Sequence, residues 1–407
     1  MATFAIVSLS ILKKFVLPKG EARIFGISPK IKSSVENLAL SLYLTSSGWQ
    51  IELSKIIGRQ KIIQKEANMK KRIGFSFFLV VLLMAFLVSG ASSPQKEKSL
   101  VPLPPELVNL PTIKAEPWVM VDKDPNILLE GPAFDRQGNL FVTSIFDSRL
   151  FKITPAKQVT PIQLPNGLLP DGIAIHKDGR LFIACLSGRV VSVSPDGSNL
   201  TDLPKYNGKP ASANDLVFDN QNGNLYVTDF TGTVADPTGG VYRYSDNYTT
   251  VKPVIEHLAA ANGVGIAPPG NIPSAGNVLW VSETCRNEIL RIELLSDGIS
   301  INPIAGVTIP SRFSGGPGGC DSLRVDMKGN VYQCMIFQGR AVILNDKGVI
   351  IANVVIPGRE EGKHLTTSNL AFKPGTDEVY IVAGGEGGAW IYKFRGLAQG
   401  LKLYSHQ

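Results

Sequence analysis

The chain has 407 residues, 44% hydrophobic and 18% charged, with 40 Gly and 27 Pro. That composition excludes a mainly disordered chain, and the length suits two average domains or one large closed architecture. The formal charge of +7 does not describe a nucleic-acid-binding surface. Residues 1–91 hold 13 Lys+Arg against 4 Glu, a net of +9, which leaves 28 basic and 30 acidic residues, a net of −2, for residues 92–407.

Residues 1–68 carry no clear period or motif and read as an upstream, non-structural segment. Met69-Lys70-Lys71-Arg72 is a compact positive start, Ile73 to Val88 is uncharged and apolar, and Ser89-Gly90-Ala91 supplies the small residues of a cleavage site. This order predicts a secretory signal at 69–91 and an exported, periplasmic or extracellular protein. Sixteen apolar residues are short for a membrane span, which needs about 20. A membrane is therefore met only if the signal stays uncleaved. Residues 92–111, with Pro94, Pro102, Pro104, Pro105 and Pro111, predict an extended lead. Cys185, Cys285, Cys320 and Cys334 follow no CxxC spacing, so a zinc site is not expected, although Cys320 and Cys334 could approach each other.

From Glu130 onward one pattern recurs six times: an apolar strand, a polar turn and a second strand ending in small or polar residues. The copies are EGPAFDRQGNLFVTS from Glu130, DGIAIHKDGRLFIAC from Asp171, NDLVFDNQNGNLYVTD from Asn214, NGVGIAPPGNIPSAGNVLWVSE from Asn262, DSLRVDMKGNVYQCM from Asp321 and SNLAFKPGTDEVYIVA from Ser368. A third strand follows each copy: RLFKI from Arg149, RVVSV from Arg189, GVYRY from Gly240, EILRI from Glu288, RAVIL from Arg340 and AWIYKF from Ala389. A more polar fourth strand follows most. Four strands in each of six units predict an all-β fold, a six-bladed β-propeller over residues 112–407, with the segment from Thr112 to Asp122 adding a strand that closes the ring.

In such a ring the first strand of each blade lines the central channel. The six openers Glu130, Asp171, Asn214, Asn262, Asp321 and Ser368 then converge at one mouth, followed by Gly131, Gly172, Asp215, Gly263, Ser322 and Asn369. All are oxygen donors or glycine. Hard ligands of this kind suit Ca²⁺, or Mg²⁺ or Mn²⁺, more than Zn²⁺ or Cu²⁺. Asp229 and Glu283, at the ends of second strands, are expected beside Asn214 and Asn262 as outer supports.

These segments, with IPGREEGKHL and the closing YKFRGLAQG, resemble the senescence marker protein/gluconolactonase (regucalcin-like) family, and most closely its drug-responsive lactonase branch. The resemblance runs from about Leu128 to the C-terminus. It implies a divalent ion, usually calcium, at the channel mouth and hydrolysis of a small-molecule cyclic ester. Position by position it implies metal ligation by Glu130, Asn262, Asp321 and Ser322, and a polar pair, Asn214 and Asp215, beside the substrate. The closest branch is expected to be acidic at both places of that pair, so Asn214 is a departure.

Lactone hydrolysis needs a polarised carbonyl, an activated water and a stabilised oxyanion. Asp321 or Asp215 is the candidate base. Asp171, Asn214, Asp229 and Glu283 are candidates for substrate contact or outer support. No histidine opens an inner strand, which argues against a histidine-dyad lactonase. His364, in the loop before the sixth inner strand, is expected on the surface. No GxSxG occurs, so a serine-esterase elbow is absent, and the Gly-rich run from Ser314 to Gly319 lacks the Lys-Ser/Thr of a phosphate loop. Trp118, Trp280 and Trp390 read as core. The competing class is a non-catalytic propeller that binds a ligand or partner in the cell envelope. It needs no acidic ring.

Overall fold

The computed structural model describes residues 99–267, 275–316 and 318–407. The expected upstream segment and the expected export signal lie outside them. From Lys96 to the C-terminus the chain forms one compact unit. Among the described residues no helix is long and apolar enough to cross a membrane.

The unit is a ring of six antiparallel sheets. Blade 1 holds β3 (Leu129–Phe134), β4 (Leu140–Ser144), β5 (Arg149–Ile153) and β6 (Val159–Gln163). Blade 2 holds β7 (Pro170–Ile175), β8 (Leu181–Cys185), β9 (Val190–Val193) and β10 (Thr201–Asp202). Blade 3 holds β11 (Ala213–Phe218), β12 (Leu225–Asp229), β13 (Gly239–Tyr244) and β14 (Val251–Leu258), and blade 4 holds β15 (Ala261–Ala267), β16 (Ala275–Glu283), β17 (Glu288–Leu295) and β18 (Val307–Arg312). Blade 5 has β19 (Cys320–Val325), β20 (Val331–Met335), β21 (Arg340–Leu344) and β22 (Ile350–Val355), and blade 6 has β23 (Leu370–Phe372), β24 (Glu378–Ala383) and β25 (Ala389–Arg395). The inner strands β3, β7, β11, β15, β19 and β23 touch in that order, and β23 returns to β3.

The closing segment supplies two strands where one was expected. β1 (Thr112–Lys114) pairs parallel with β22 as a fifth strand of blade 5, while β2 (Glu116–Asp122) pairs antiparallel with β25. Blade 6 has no outer strand of its own, and β2 provides it. Chain start and chain end thus share one sheet, and the ring presents no open edge at its seam. Asn353 Nδ2 donates to the Leu107 carbonyl at 2.9 Å, which ties the lead down as well.

Each blade is apolar on both faces because each packs between two others. The seam core of Val119, Leu129, Phe134, Val142, Tyr380 and Ile391 joins blades 6 and 1. Each such side chain contributes about 1.5–3 kcal/mol on full burial. Trp280 is fully buried, whereas Trp118 and Trp390 are half-buried. The four cysteines are free thiols, with Cys185, Cys320 and Cys334 buried in the blades. Cys320 and Cys334 form no disulfide.

Candidate active site

The six openers do meet at one mouth, and a recurrent backbone device aims them there. In blades 1 to 5 the register between first and second strand slips at the same place: between Glu130 and Ala133, Pro170 and Ile173, Ala213 and Leu216, Ala261 and Val264, and Cys320 and Leu323. A bulge lets two successive residues leave the alternation of the strand and re-aims their side chains. In blades 2 to 5 the residues it frees are the opener and its successor, whereas in blade 1 Glu130 stays paired with Thr143 and the slip takes in Gly131 and Pro132.

The glycines among the successors let neighbouring inner strands approach. A Cβ on Gly131, which sits at φ +54°, would lie 2.4 Å from the Asp171 carbonyl oxygen. One on Gly172 would lie 2.7 Å from Asp215 Oδ1. Hydroxyls from the second strands then staple three of the openers to the preceding blade. Thr143 Oγ1 donates to the Asp171 carbonyl at 2.7 Å, Ser282 Oγ donates to that of Asp321 at 2.6 Å, and Thr228 Oγ1 donates to that of Asn262. Ser368 Oγ donates to the Leu129 carbonyl at 2.7 Å and locks blade 6 to blade 1.

Glu130, Asp171, Asp215 and Asp321 are all buried, and their charges act on one another. Burial, opposed by hydrogen bonds from Asn369 and the Gly131 amide and reinforced by the Asp215 charge, pushes Glu130 up to about 7. Burial and then the charges of Glu130, Asp321 and Asp215 hold Asp171 well above the usual carboxylate range. Asp321 is raised likewise by burial and by Glu130, against a hydrogen bond from Asn262. Asn369 Nδ2 donates to Glu130 Oε2 at 2.7 Å, Asn214 Nδ2 donates to Asp171 Oδ2 at 3.0 Å, and Ser322 Oγ donates to Asn262 Oδ1 at 3.5 Å.

Asp171 Oδ1 and Asn214 Oδ1 are left buried with no donor. Both are acceptors, and both belong to the mouth. Among the described residues no three His, Cys, Asp or Glu side chains by themselves make a metal cluster. The oxygen set here is mixed, with amide and hydroxyl oxygens between the carboxylates. Of the crowded acids only Asp215 is paired with a cation, and a donor set with this surplus of acceptors fits a hard divalent cation.

Asp215 differs from its neighbours. Its Oδ1 accepts from the Leu216 amide at 2.9 Å and from Arg324 Nη2 at 3.2 Å; its Oδ2 accepts from Arg324 Nη1 at 2.7 Å and from the Val264 amide at 3.4 Å. Four donors leave it no lone pair to spare. Asp229 and Glu283 end second strands in register with Ala213 and Ala261, the residues before the openers Asn214 and Asn262. Lys209 Nζ and the Ser212 amide, each at 2.9 Å, hold Asp229, while Arg286 and the Ala259 amide hold Glu283. Each braces the turn that enters its own blade. His364 is buried, against the expectation of a surface position, because Trp390 and Tyr392 pack edge-on against its ring.

Five partner residues escaped the sequence reading. Asn369 stands in the column after the openers, where its amide was visible but unassigned. The stapling hydroxyls Thr143, Thr228 and Ser282 share the penultimate position of their second strands. Arg324 is the third residue after its opener, where the other copies have Ala133, Ala174, Val217, Gly265 and Ala371. One charge in a column of small side chains was the signal.

The profile of the SMP-30/Gluconolactonase/LRE-like region matches residues 128–384, from the first inner strand to the end of β24. The chain belongs to this family. Among curated relatives, the lactonase drp35 of Staphylococcus saprophyticus is 38% identical over 317 residues, covering 76% of this chain and 95% of that protein. The lactonase drp35 of Staphylococcus aureus strain MRSA252 is 37% identical over 321 residues, covering 77% and 96%. Among solved structures, a regucalcin from Agrobacterium tumefaciens described as calcium-binding superposes with a TM-score of 0.58 at 17% identity, over 72% of this chain and 99% of its own. A gluconolactonase from Xanthomonas campestris gives 0.54 at 19% identity, over 68% and 88%. At such identities the two structures support the fold alone.

Proposed function

We propose that this family member is an exported, divalent-metal-dependent hydrolase of small lactones or related esters, with Ca²⁺ as the ion. The observation that carries the reading is the buried mouth: four mutually repelling carboxylates and two orphaned acceptor oxygens converging from separate blades. The lactonase relatives at 37–38% identity support the reaction class. A non-catalytic propeller has no need of this charge. Burying it unpaired is costly.

Glu130, Asn262, Asp321 and Ser322 would hold the ion. When bound, a divalent cation polarises the ester carbonyl and offsets oxyanion charge. The chain's residues supply the rest. Asn369 fixes Glu130, and the Asn262 amide and the Ser282 staple fix Asp321. Asp321 takes the proton of the attacking water, because the oxygens of Asp215 are already engaged. Asp171 and Asn214 border the substrate side. As water adds to the carbonyl carbon, its proton passes to Asp321; when the ring C–O bond breaks, that proton goes to the departing alkoxide oxygen.

The test is hydrolysis of a panel of γ- and δ-lactones by the parent chain and by Glu130→Ala and Asp321→Ala. Both variants are expected to lose activity while remaining folded. Parent-like turnover in either overturns the assignment. Export is part of the reading, supported by the signal order of residues 69–91. N-terminal sequencing of protein recovered outside the cytoplasm is expected to begin just after Ala91, and peptides from residues 1–68 on that material would contradict it.

A further inference from the structure

Further along the inner strands lies a largely apolar cavity of about 90 Å³, lined also by Leu401, Leu403 and Tyr404 of the C-terminal tail. The third residue after each opener lines it: Ala133, Ala174, Val217, Gly265, Arg324 and Ala371. Five of these six are small and uncharged. The sixth is the arginine that reaches from blade 5 to Asp215 in blade 3.

The space left by the small side chains is what admits the arginine. Its side chain is only 16% exposed, and it lines this cavity. Its fork engages both oxygens of Asp215, and Nη1 also donates to its neighbour's carbonyl, that of Leu323, at 2.7 Å. A bidentate guanidinium fixes a carboxylate in both position and plane. The Arg324 charge also acts on Glu130, so it belongs to the electrostatics of the whole mouth.

We propose that Arg324 is a built-in cation of the active site, which clamps Asp215 away from ion and water and limits the mouth to one divalent ion. The charge count makes the point. Glu130, Asp171, Asp215 and Asp321 present four carboxylates, and one divalent ion offsets half of them. Arg324 cancels a third from below. Without it, a freed Asp215 and the donor-free Asp171 Oδ1 would stand ready to take a second cation.

The inference rests on the proposed ion, and its test needs no substrate. Calcium is titrated calorimetrically into full-length protein stripped with chelator. The parent chain is expected to bind one Ca²⁺, Arg324→Met two, and Arg324→Met with Asp215→Asn one again. A single ion in Arg324→Met, or a second ion persisting in the double variant, overturns the proposal. Should Arg324→Met not fold, Asp215→Asn alone carries the test. It strands the guanidinium charge beside the ion, so calcium affinity should fall at least about tenfold, and unchanged affinity overturns the proposal. A parent chain that takes up no calcium overturns this inference together with the reading it rests on. In metal-free protein the melting temperatures of the two single variants and the double variant are expected to be non-additive. Additivity would overturn the clamp alone.

Discussion

The two ends of the central channel are built from the same six strands and share almost no chemistry. At the mouth, bulges turn pairs of polar residues inward, and buried acids face one another with oxygens unspent. At the far end the inner strands run in register, and mostly small or apolar side chains, with Arg324 among them, line a cavity bordered by the C-terminal tail. Tyr404 anchors the tail, its ring packed against His176 at 5.1 Å and Phe218 at 5.2 Å. Arg136 fixes the tail backbone, its Nε donating to the Ser405 carbonyl at 2.6 Å. One end therefore carries electrostatic tension and the other relieves it by packing. The propeller concentrates its buried acids at one rim.

Substitutions at the two ends should fail in different ways. The largest effect is expected at the mouth. Glu130→Ala, which removes a residue that would hold the ion, and Asp321→Ala, which also removes the base, should each lower lactone turnover by at least about a hundredfold, while melting close to the parent temperature. Steady-state kinetics with parallel melting curves check both halves. At the far end the pattern should invert. Tyr404→Ala should cost about 3 kcal/mol of stability, as loss of a buried ring does, yet leave turnover per folded molecule unchanged. Chemical denaturation beside an activity assay reads it, and a large loss of turnover would mean the two ends are coupled.

A smaller effect is expected between blades. Thr228→Val removes the hydroxyl that donates to the Asn262 carbonyl and should destabilise the protein by about 1 kcal/mol, with a modest loss of calcium affinity. The gentlest probe is pH. Glu130 is raised from 4.5 to about 7 in the metal-free fold, so its protonated form is the one folding favours. That contribution to stability is complete below 4.5 and is lost as pH rises through about 7. The metal-free protein should therefore melt lower as pH climbs through this window, whereas calcium, which binds the deprotonated site, should flatten the trend. A melting temperature that rises through the window without metal would contradict the reading of Glu130.

Much of this was legible in the sequence because repetition makes columns comparable. The third strands RLFKI and RAVIL coincide with β5 and β21, and the openers fall at the mouth. What was not legible came from contacts between copies. Asp229 and Glu283 end second strands as predicted, yet local cations turn them into braces for their own blades. β1 and β2 divide one segment between two sheets, a division fixed by where the ring happens to close. His364 is buried by aromatic residues of a later strand. Arg324 was hidden by strand logic itself, which treats an alternate position beside apolar residues as a place for packing.

The central claim is that the buried acids at the mouth exist to hold a divalent ion that hydrolysis requires. The direct measurement is lactone hydrolysis by the purified protein before chelation, after chelation and after calcium is restored. The account predicts activity that chelator abolishes and calcium returns. Hydrolysis indifferent to chelator, or no hydrolysis of any lactone in calcium or manganese, would contradict it.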